Sequence, residues 1–149
     1  VTKTFAHISA RAFCHATEDL DRVKAAMHNV VGDALLSVRR AEGSHGNPIL
    51  IIESHQDGDE PANLFLQKMG QDDLSRILDS LESRLDEGCN LFVRLDKQKA
   101  FAGTCALATT GDVILVRLKV QAYPSKPEVA ARLVREMLTK EISRRKGQA

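Results

Sequence analysis

Three stretches of this chain alternate apolar and polar side chains with a period of two, and strands so patterned bury one face and leave the other free. In the first, Ala6, Ile8, Ala10, Ala12 and Cys14 form a small apolar face opposite Phe5, His7, Ser9, Arg11 and Phe13. In the second, Leu91, Val93 and Leu95 alternate with Asn90, Phe92 and Arg94. In the third, Ile114, Val116 and Leu118 alternate with residues that include Arg117 and Lys119. One-sided strands predict a sheet with helices on one face only, and the alanines of the first would let those helices approach closely.

The helices are legible by the same means. Leu20, Val23, Met27, Val30 and Val31 recur at helical spacing, with Thr17-Glu18-Asp19 reading as an N-cap and acidic first turn, and Gly32 as the stop. A short strand is expected over 35–39, a loop over 42–48 and a strand over 49–52. A polar turn is expected over 55–61. Leu64, Phe65, Met69, Leu74, Ile77, Leu78, Leu81 and Leu85 anchor a long helical region that Gly70 divides and Glu87-Gly88 closes. Phe101 to Ala108 is expected to pair with the strand at 91–95, and Thr110-Gly111-Asp112 to turn the chain into a strand over 113–122. Ser125 and Glu128 have the spacing of a capping box ahead of a last helix. That helix carries Ala130, Leu133, Val134, Met137 and Leu138 on one face and arginine and lysine on the other. Arg144-Arg145-Lys146-Gly147 reads as a frayed, solvated tail. The expected fold is α+β, a two-layer sandwich of a mostly antiparallel sheet with helices on one face, forming one domain over residues 1–149.

Composition narrows the function classes. Hydrophobic residues make up 43% and charged residues 28% of the 149, a globular balance. No apolar run approaches the ~20 residues of a membrane-spanning helix. No basic segment leads into an apolar one at the start, so no secretory signal is expected, and the opening valine implies a missing initiator or longer leader. Cys14, Cys89 and Cys105 form no CxxC pair and read as buried free thiols. The net charge of +1 hides an asymmetry: residues 53–87 carry ten acids and three bases, whereas residues 117–149 carry nine bases and three acids. Such a distribution favours an anionic partner.

Catalytic and metal signatures are sparse. His7, His15, His28, His45 and His55 are scattered, with no HExxH and no cysteine–histidine spacing, so neither metal nor cofactor is implied. There is no GxSxG and no phosphate-binding P-loop sequence. The glycine-rich loop around Ser44 leaves His45, Gly46 and Asn47 as candidates for touching a ligand, and a small hydrolase or nuclease centred on His45 is one reading of it.

The stronger signal is the free sheet face. With the apolar faces turned toward the helices, Arg11, Phe13, Phe92, Arg94, Arg117 and Lys119 from three strands point the other way. Lys97 and Lys99 are expected at the turn that follows. Cations meet phosphates and aromatic rings stack on unpaired bases, which makes RNA the leading partner. A protein partner or a second copy of the chain on the same face is the alternative, because an open sheet face is also an association surface.

Several segments carry a family resemblance: His15-Ala16-Thr17-Glu18-Asp19, His45-Gly46-Asn47-Pro48-Ile49, the run from Arg84 to Ala100 with Leu95-Asp96-Lys97-Gln98 at its centre, Gly111-Asp112-Val113-Ile114, and Lys119 to Lys126. In these the chain resembles an archaeal family described as RNA-binding proteins or predicted exosome subunits, related in fold to ribosomal protein L5. The resemblance implies a cytoplasmic, non-catalytic protein that binds RNA in processing or ribosome-related work, with possible protein partners in an RNA-processing complex. It directs attention to Gly46-Asn47-Pro48 and Asp96-Lys97-Gln98 as ligand positions. This chain has Cys89 where that family commonly has an acid or glycine before Asn90.

Overall fold

A computed structural model describes residues 3–42, 46–109 and 111–147. Along the chain the elements are β1 (Phe5–Cys14), α1 (Leu20–Val31), β2 (Ser37–Glu42), β3 (Pro48–Asp57), α2 (Asp59–Lys68), α3 (Gln71–Asp79), α4 (Leu81–Arg84), β4 (Asn90–Asp96), α5 (Lys97–Phe101), β5 (Val113–Val120) and α6 (Pro127–Gly147). The strands form one sheet in the order β2-β3-β1-β5-β4, and each neighbouring pair is antiparallel. The fold is therefore α+β, with the helices on one face of the sheet.

Alternation decides which face they cover. Ile8, Ala10 and Ala12 of β1 are buried together with Ile52 of β3, Leu91, Val93 and Leu95 of β4 and Ile114, Val116 and Leu118 of β5. Against them lie Val23, Met27 and Val30 of α1, Phe65 and Leu66 of α2, Leu74 and Ile77 of α3, and Val134 and Leu138 of α6, in one hydrophobic cluster drawn from both halves of the chain. Helices α1 and α2 both pack on β1, where the alanines leave room for them. No helix among the described residues is long and apolar enough to cross a membrane.

One residue breaks the alternation. Between Phe5 and His7 the register of β1 against β5 shifts, so that Phe5 faces Val120 and His7 faces Lys119. Ala6 is the extra residue of a β-bulge, and such an insertion turns the side chain before it to the other face. Phe5, read from the sequence as part of the free face, is fully buried in the core. The Ala6 carbonyl accepts from the N–H of Gly58 at 2.8 Å, and Gly58 adopts a φ of 98° at the turn into α2, a conformation open to glycine without strain. Asp59, next in line, accepts the N–H groups of Thr4 and Phe5 at 2.9 and 2.8 Å and so ties the bulge down.

Other departures from the sequence reading have local causes. Strand β2 runs over Ser37–Glu42 rather than 35–39, its pairing with β3 starting at Ser37 opposite Glu53 and ending at Glu42 opposite Pro48, and Leu35 before it stands 93% exposed. Strand β3 runs on to Asp57 through residues expected to form a turn, since Ser54, His55, Gln56 and Asp57 all find partners on β1. Gly70 divides the long helical region as expected. Asp19 alone caps α1, accepting the N–H of Asp21, and Glu18 lies outside the helix. The expected strand 101–108 is instead the end of α5 followed by irregular chain, paired with β4 only through Ala106 and Ala108. The principal partner of β4 is β5. Ser125 donates its hydroxyl to the Ala122 carbonyl rather than forming the expected box.

The C-terminal tail is an anchor. Helix α6 continues to Gly147, and the Arg145 guanidinium donates to the carbonyls of Met69 at 2.6 Å, Gln67 at 3.0 Å and Leu66 at 3.4 Å. These are last-turn carbonyls of α2 and its cap, of which Leu66 also accepts from the Met69 N–H at 3.2 Å, so Arg145 completes the capping of α2 from a distance.

Candidate nucleic-acid interface

Strand register sets out the free face in rows. One row crosses Ser37, Glu53, Arg11, Leu115 and Arg94. The next crosses His55, Ser9, Arg117 and Phe92, and a third crosses Asp57, His7, Lys119 and Asn90. Adjacent strands lie about 4.8 Å apart and alternate residues of a strand about 6.7 Å apart, which puts the backbone of Arg117 roughly 8 Å from those of Arg11 and Arg94. These three positions span the sheet from its middle strand β1 across β5 to its edge strand β4, and all three are exposed.

Beside Arg11 and Arg117 is a hollow of about 460 Å³ whose walls include these two, Ser9, Glu53, His55 and Phe92, with exposed Leu35 on its rim. Phe92 is half-buried at one side. Glu53 is turned toward Arg39, whose Nε donates to it at 2.8 Å, so an arginine answers this wall's carboxylate. Phe13 is 39% exposed, with the Arg11 guanidinium 5.9 Å from its ring. The imidazole of His7 reports the sign of the field. Burial first, then the neighbouring His55 and Arg117, hold it below its ordinary 6.5, and Lys119 adds to this while Asp57 opposes it.

A side-chain chain that the sequence reading did not single out runs from Ser9 and His55 on the wall of the hollow out to exposed Asp57. Asp57 Oδ1 lies 2.9 Å from His55 Nε2, and His55 Nδ1 lies 2.9 Å from Ser9 Oγ. An acid, an imidazole and a hydroxyl in series are the parts of a hydrolase relay. Ser9, however, sits mid-strand with His55 paired on one side and Arg117 on the other. The N–H groups of such a strand belong to the ladder, so they do not form the amide-lined oxyanion site that acyl transfer needs. Reading 55–61 as a turn hid this chain. The available signal was the continued alternation of Glu53, His55 and Asp57 beyond the apolar run at 49–52.

The expected site residues divide. Arg11, Phe13, Phe92, Arg94, Arg117 and Lys119 share the free face, although the Lys119 ammonium is engaged by the Gly88 carbonyl. Lys97 does not join them. It is 3% exposed, donates to the Phe13 carbonyl and to Glu18 at 2.9 Å each, and pairs with Asp112. Its parity explains this, because Lys97 continues the inward series Leu91, Val93, Leu95 and so lands behind the sheet. Lys99 is exposed on α5, the helix beside α1, and lies away from the face. Gly46 and Asn47 are exposed at the tip of the β2–β3 hairpin, with nothing within 4 Å of where a Cβ on Gly46 would stand; His45 lies outside the described residues.

The segments that carried the resemblance meet at Lys97. Glu18 comes from the first, Lys97 from the long central run and Asp112 from the turn before β5. With His15, the two acids bring three ligating atoms within 4.8 Å of one another, a cation-like arrangement. The buried ammonium of Lys97 already answers both of these partly exposed carboxylates, so the cluster is an ion-paired tie between segments. Cys89 takes a φ of 62° at the turn beneath Lys119 and is fully buried.

Residues 7–120 match a family model described as RNA binding. The chain is 33% identical over 142 residues to the RNA-binding protein PAB1135 of Pyrococcus abyssi, covering 89% of this chain and 92% of that one. It is 28% identical to the uncharacterized protein MJ0213 of Methanocaldococcus jannaschii over 91% of this chain and 96% of that one. Among solved structures, Mth689, a DUF54 protein of Methanothermobacter thermautotrophicus, superposes with a TM-score of 0.80 at 38% identity, covering 91% of this chain and 98% of the other.

Proposed function

The chain belongs to this RNA-binding family, and on that premise we propose that it is a non-catalytic RNA-binding protein whose contact surface is the free face of the sheet. The observation that carries the proposal is the placement of Arg11 and Arg117 on the walls of the hollow beside Phe92, with Arg94 exposed on the same face of the sheet. Guanidinium groups take phosphate oxygens in pairs, and an aromatic edge offers a base a stacking surface at little sequence preference. Lys119 extends the basic strip, and Phe13 supplies a second ring on β1. Lys97 and Lys99 are left out of the contact set.

The finer expectations belong to the same proposal. A single RNA-binding unit over residues 1–149 rests on the pattern of elements along the chain, while a topology like that of ribosomal protein L5, a cytoplasmic site of action and a place in RNA processing or ribosome-related work, the exosome included, rest on the family resemblance. A protein partner or second copy on this face is the competing reading, favoured by exposed Leu35 on the rim of the hollow and exposed Phe13 on β1.

The test is RNA binding at two salt concentrations with wild type and an Arg11→Glu, Arg94→Glu, Arg117→Glu variant shown to remain folded. Affinity should fall steeply with salt, because each neutralised phosphate releases a counterion, and the variant should lose binding. Binding that ignores salt, or a variant that binds as wild type does, would refute the assignment of this face. Absence of binding at low salt would move the weight to a protein partner.

A further inference from the structure

We infer that the hollow is a one-nucleotide subsite for unpaired RNA in which Ser9 reads the ribose 2′-hydroxyl; this rests on the RNA-binding reading and adds a reason to prefer ribose over deoxyribose. The protons are placed in series along Asp57, His55 and Ser9. Asp57 Oδ1 accepts at 2.9 Å from His55 Nε2, so in the neutral imidazole the ring proton is on Nε2 and Nδ1 is an acceptor. Ser9 Oγ, 2.9 Å from Nδ1, then directs its only proton to the ring. What Ser9 has left to offer the hollow is a pair of acceptor positions. A phosphate oxygen has no proton to give and is turned away, whereas a 2′-hydroxyl is a donor and fits.

The neighbours complete the division of labour. Arg117 lies beside Ser9 on β5 and Arg11 lies two residues along β1, so the anion-binding groups flank the acceptor without replacing it. Phe92 lies beyond Arg117 in the same row, about 14 Å across the sheet from His55. A nucleotide lying from that row toward Arg11 would set its base on Phe92, its sugar edge over Ser9 and its phosphate on Arg11, with Arg117 beside the sugar to meet a neighbouring phosphate. A duplex hides its bases from a sheet floor, so the subsite selects a single strand. Had His55 been held by a donor in place of Asp57, the ring would reverse and Ser9 would present its proton instead. The acid is therefore what makes Ser9 a reader of hydroxyl groups.

The experiment measures affinity of the full chain for a uridine oligonucleotide and its 2′-deoxy counterpart of equal length, at pH 8 and low salt, for wild type and Ser9→Ala. A hydrogen bond of ordinary strength predicts roughly a five-fold preference of wild type for the ribo form. Ser9→Ala should bind both forms with the affinity wild type shows for the deoxy form, because the arginines and Phe92 remain. Equal wild-type affinity for ribo and deoxy forms would overturn the inference while leaving the RNA-binding reading in place. A ribo preference that survives in Ser9→Ala would overturn it as well. If neither oligonucleotide binds wild type at low salt, the RNA-binding reading fails and this inference fails with it.

Discussion

Replacing Lys97 with methionine separates a structural lysine from a phosphate-binding one. Methionine keeps most of the apolar stem and removes the ammonium that Glu18, Asp112 and the Phe13 carbonyl share. Breaking a fully buried ion pair by removing one partner costs about 3–5 kcal/mol, chiefly through the charge left behind. Here the partners are less enclosed: the side chains of Glu18 and Asp112 are 24% and 37% exposed, so both rehydrate in part. The expected loss is therefore about 2.5 kcal/mol, or about 8 °C in Tm for a chain of this size. Adding Asp112→Asn removes one abandoned charge and should recover part of that loss. Acid makes the test sharper. Burial alone would raise the Glu18 carboxyl, but hydrogen bonds from Lys97 and from the His15 N–H reverse this and hold it below its ordinary 4.5. Its contribution to stability is thus complete above pH 4.5 and fades as pH falls through the lower folded value. Without Lys97 burial is less opposed, so acid unfolding of the variant should begin at a higher pH. Urea denaturation followed by circular dichroism, beside an RNA titration at low salt, reads both properties. A stability change within about 0.5 kcal/mol, accompanied by a clear fall in RNA affinity, would refute the structural assignment.

Arg145→Met removes the donor that caps the last turn of α2; hydrogen bonds to a charged group predict a loss of about 2 kcal/mol by urea denaturation with RNA affinity unchanged. Phe5→Ala should cost about 4 kcal/mol, whereas Phe13→Ala on the free face should cost under about 1 kcal/mol and weaken RNA binding instead. Similar stability losses for the two would contradict the bulge at Ala6. The imidazole of His7 should titrate below 6.5 by NMR, and bound RNA should raise it as phosphate offsets Arg117 and Lys119. Because the folded value is depressed, the unfolded chain takes up the proton first, and His7 makes stability fall as pH drops from 6.5 toward the folded value. A His7 titration at or above 6.5 in the free protein would contradict the packing and field described for it.

Much of the candidate surface was legible because it depends on parity within single strands. Arg94 and Phe92 lie opposite Leu91, Val93 and Leu95 whatever their strand pairs with, and the same holds for Arg11 and Arg117 on theirs. Parity also placed Lys97 among the inward residues, yet the turn expected after Asp96 made it look exposed; Asp96 instead caps α5 through the N–H of Lys99 at 2.9 Å. Strand 101–108 looked plausible because its residues suit a strand, but β5 holds the long edge of β4 and leaves only a short stretch at 106–108 to pair with the other.

Local periodicity determined the sheet, its one-sided burial and most of the helices, because side-chain direction follows from the backbone repeat of each segment alone. Only the tertiary structure decided which side chains became neighbours. Ser9 and His55 are 46 residues apart, and Phe13 and Lys97 are 84 apart; no local pattern records such a pairing. The bulge at Ala6 shows the reason most directly: one inserted residue reverses the face of Phe5, and its position follows from how β1, β5 and the turn at Gly58 fit together. The same pairing of distant strands built the hollow, set Asp57 behind His55 and left Ser9 facing into it.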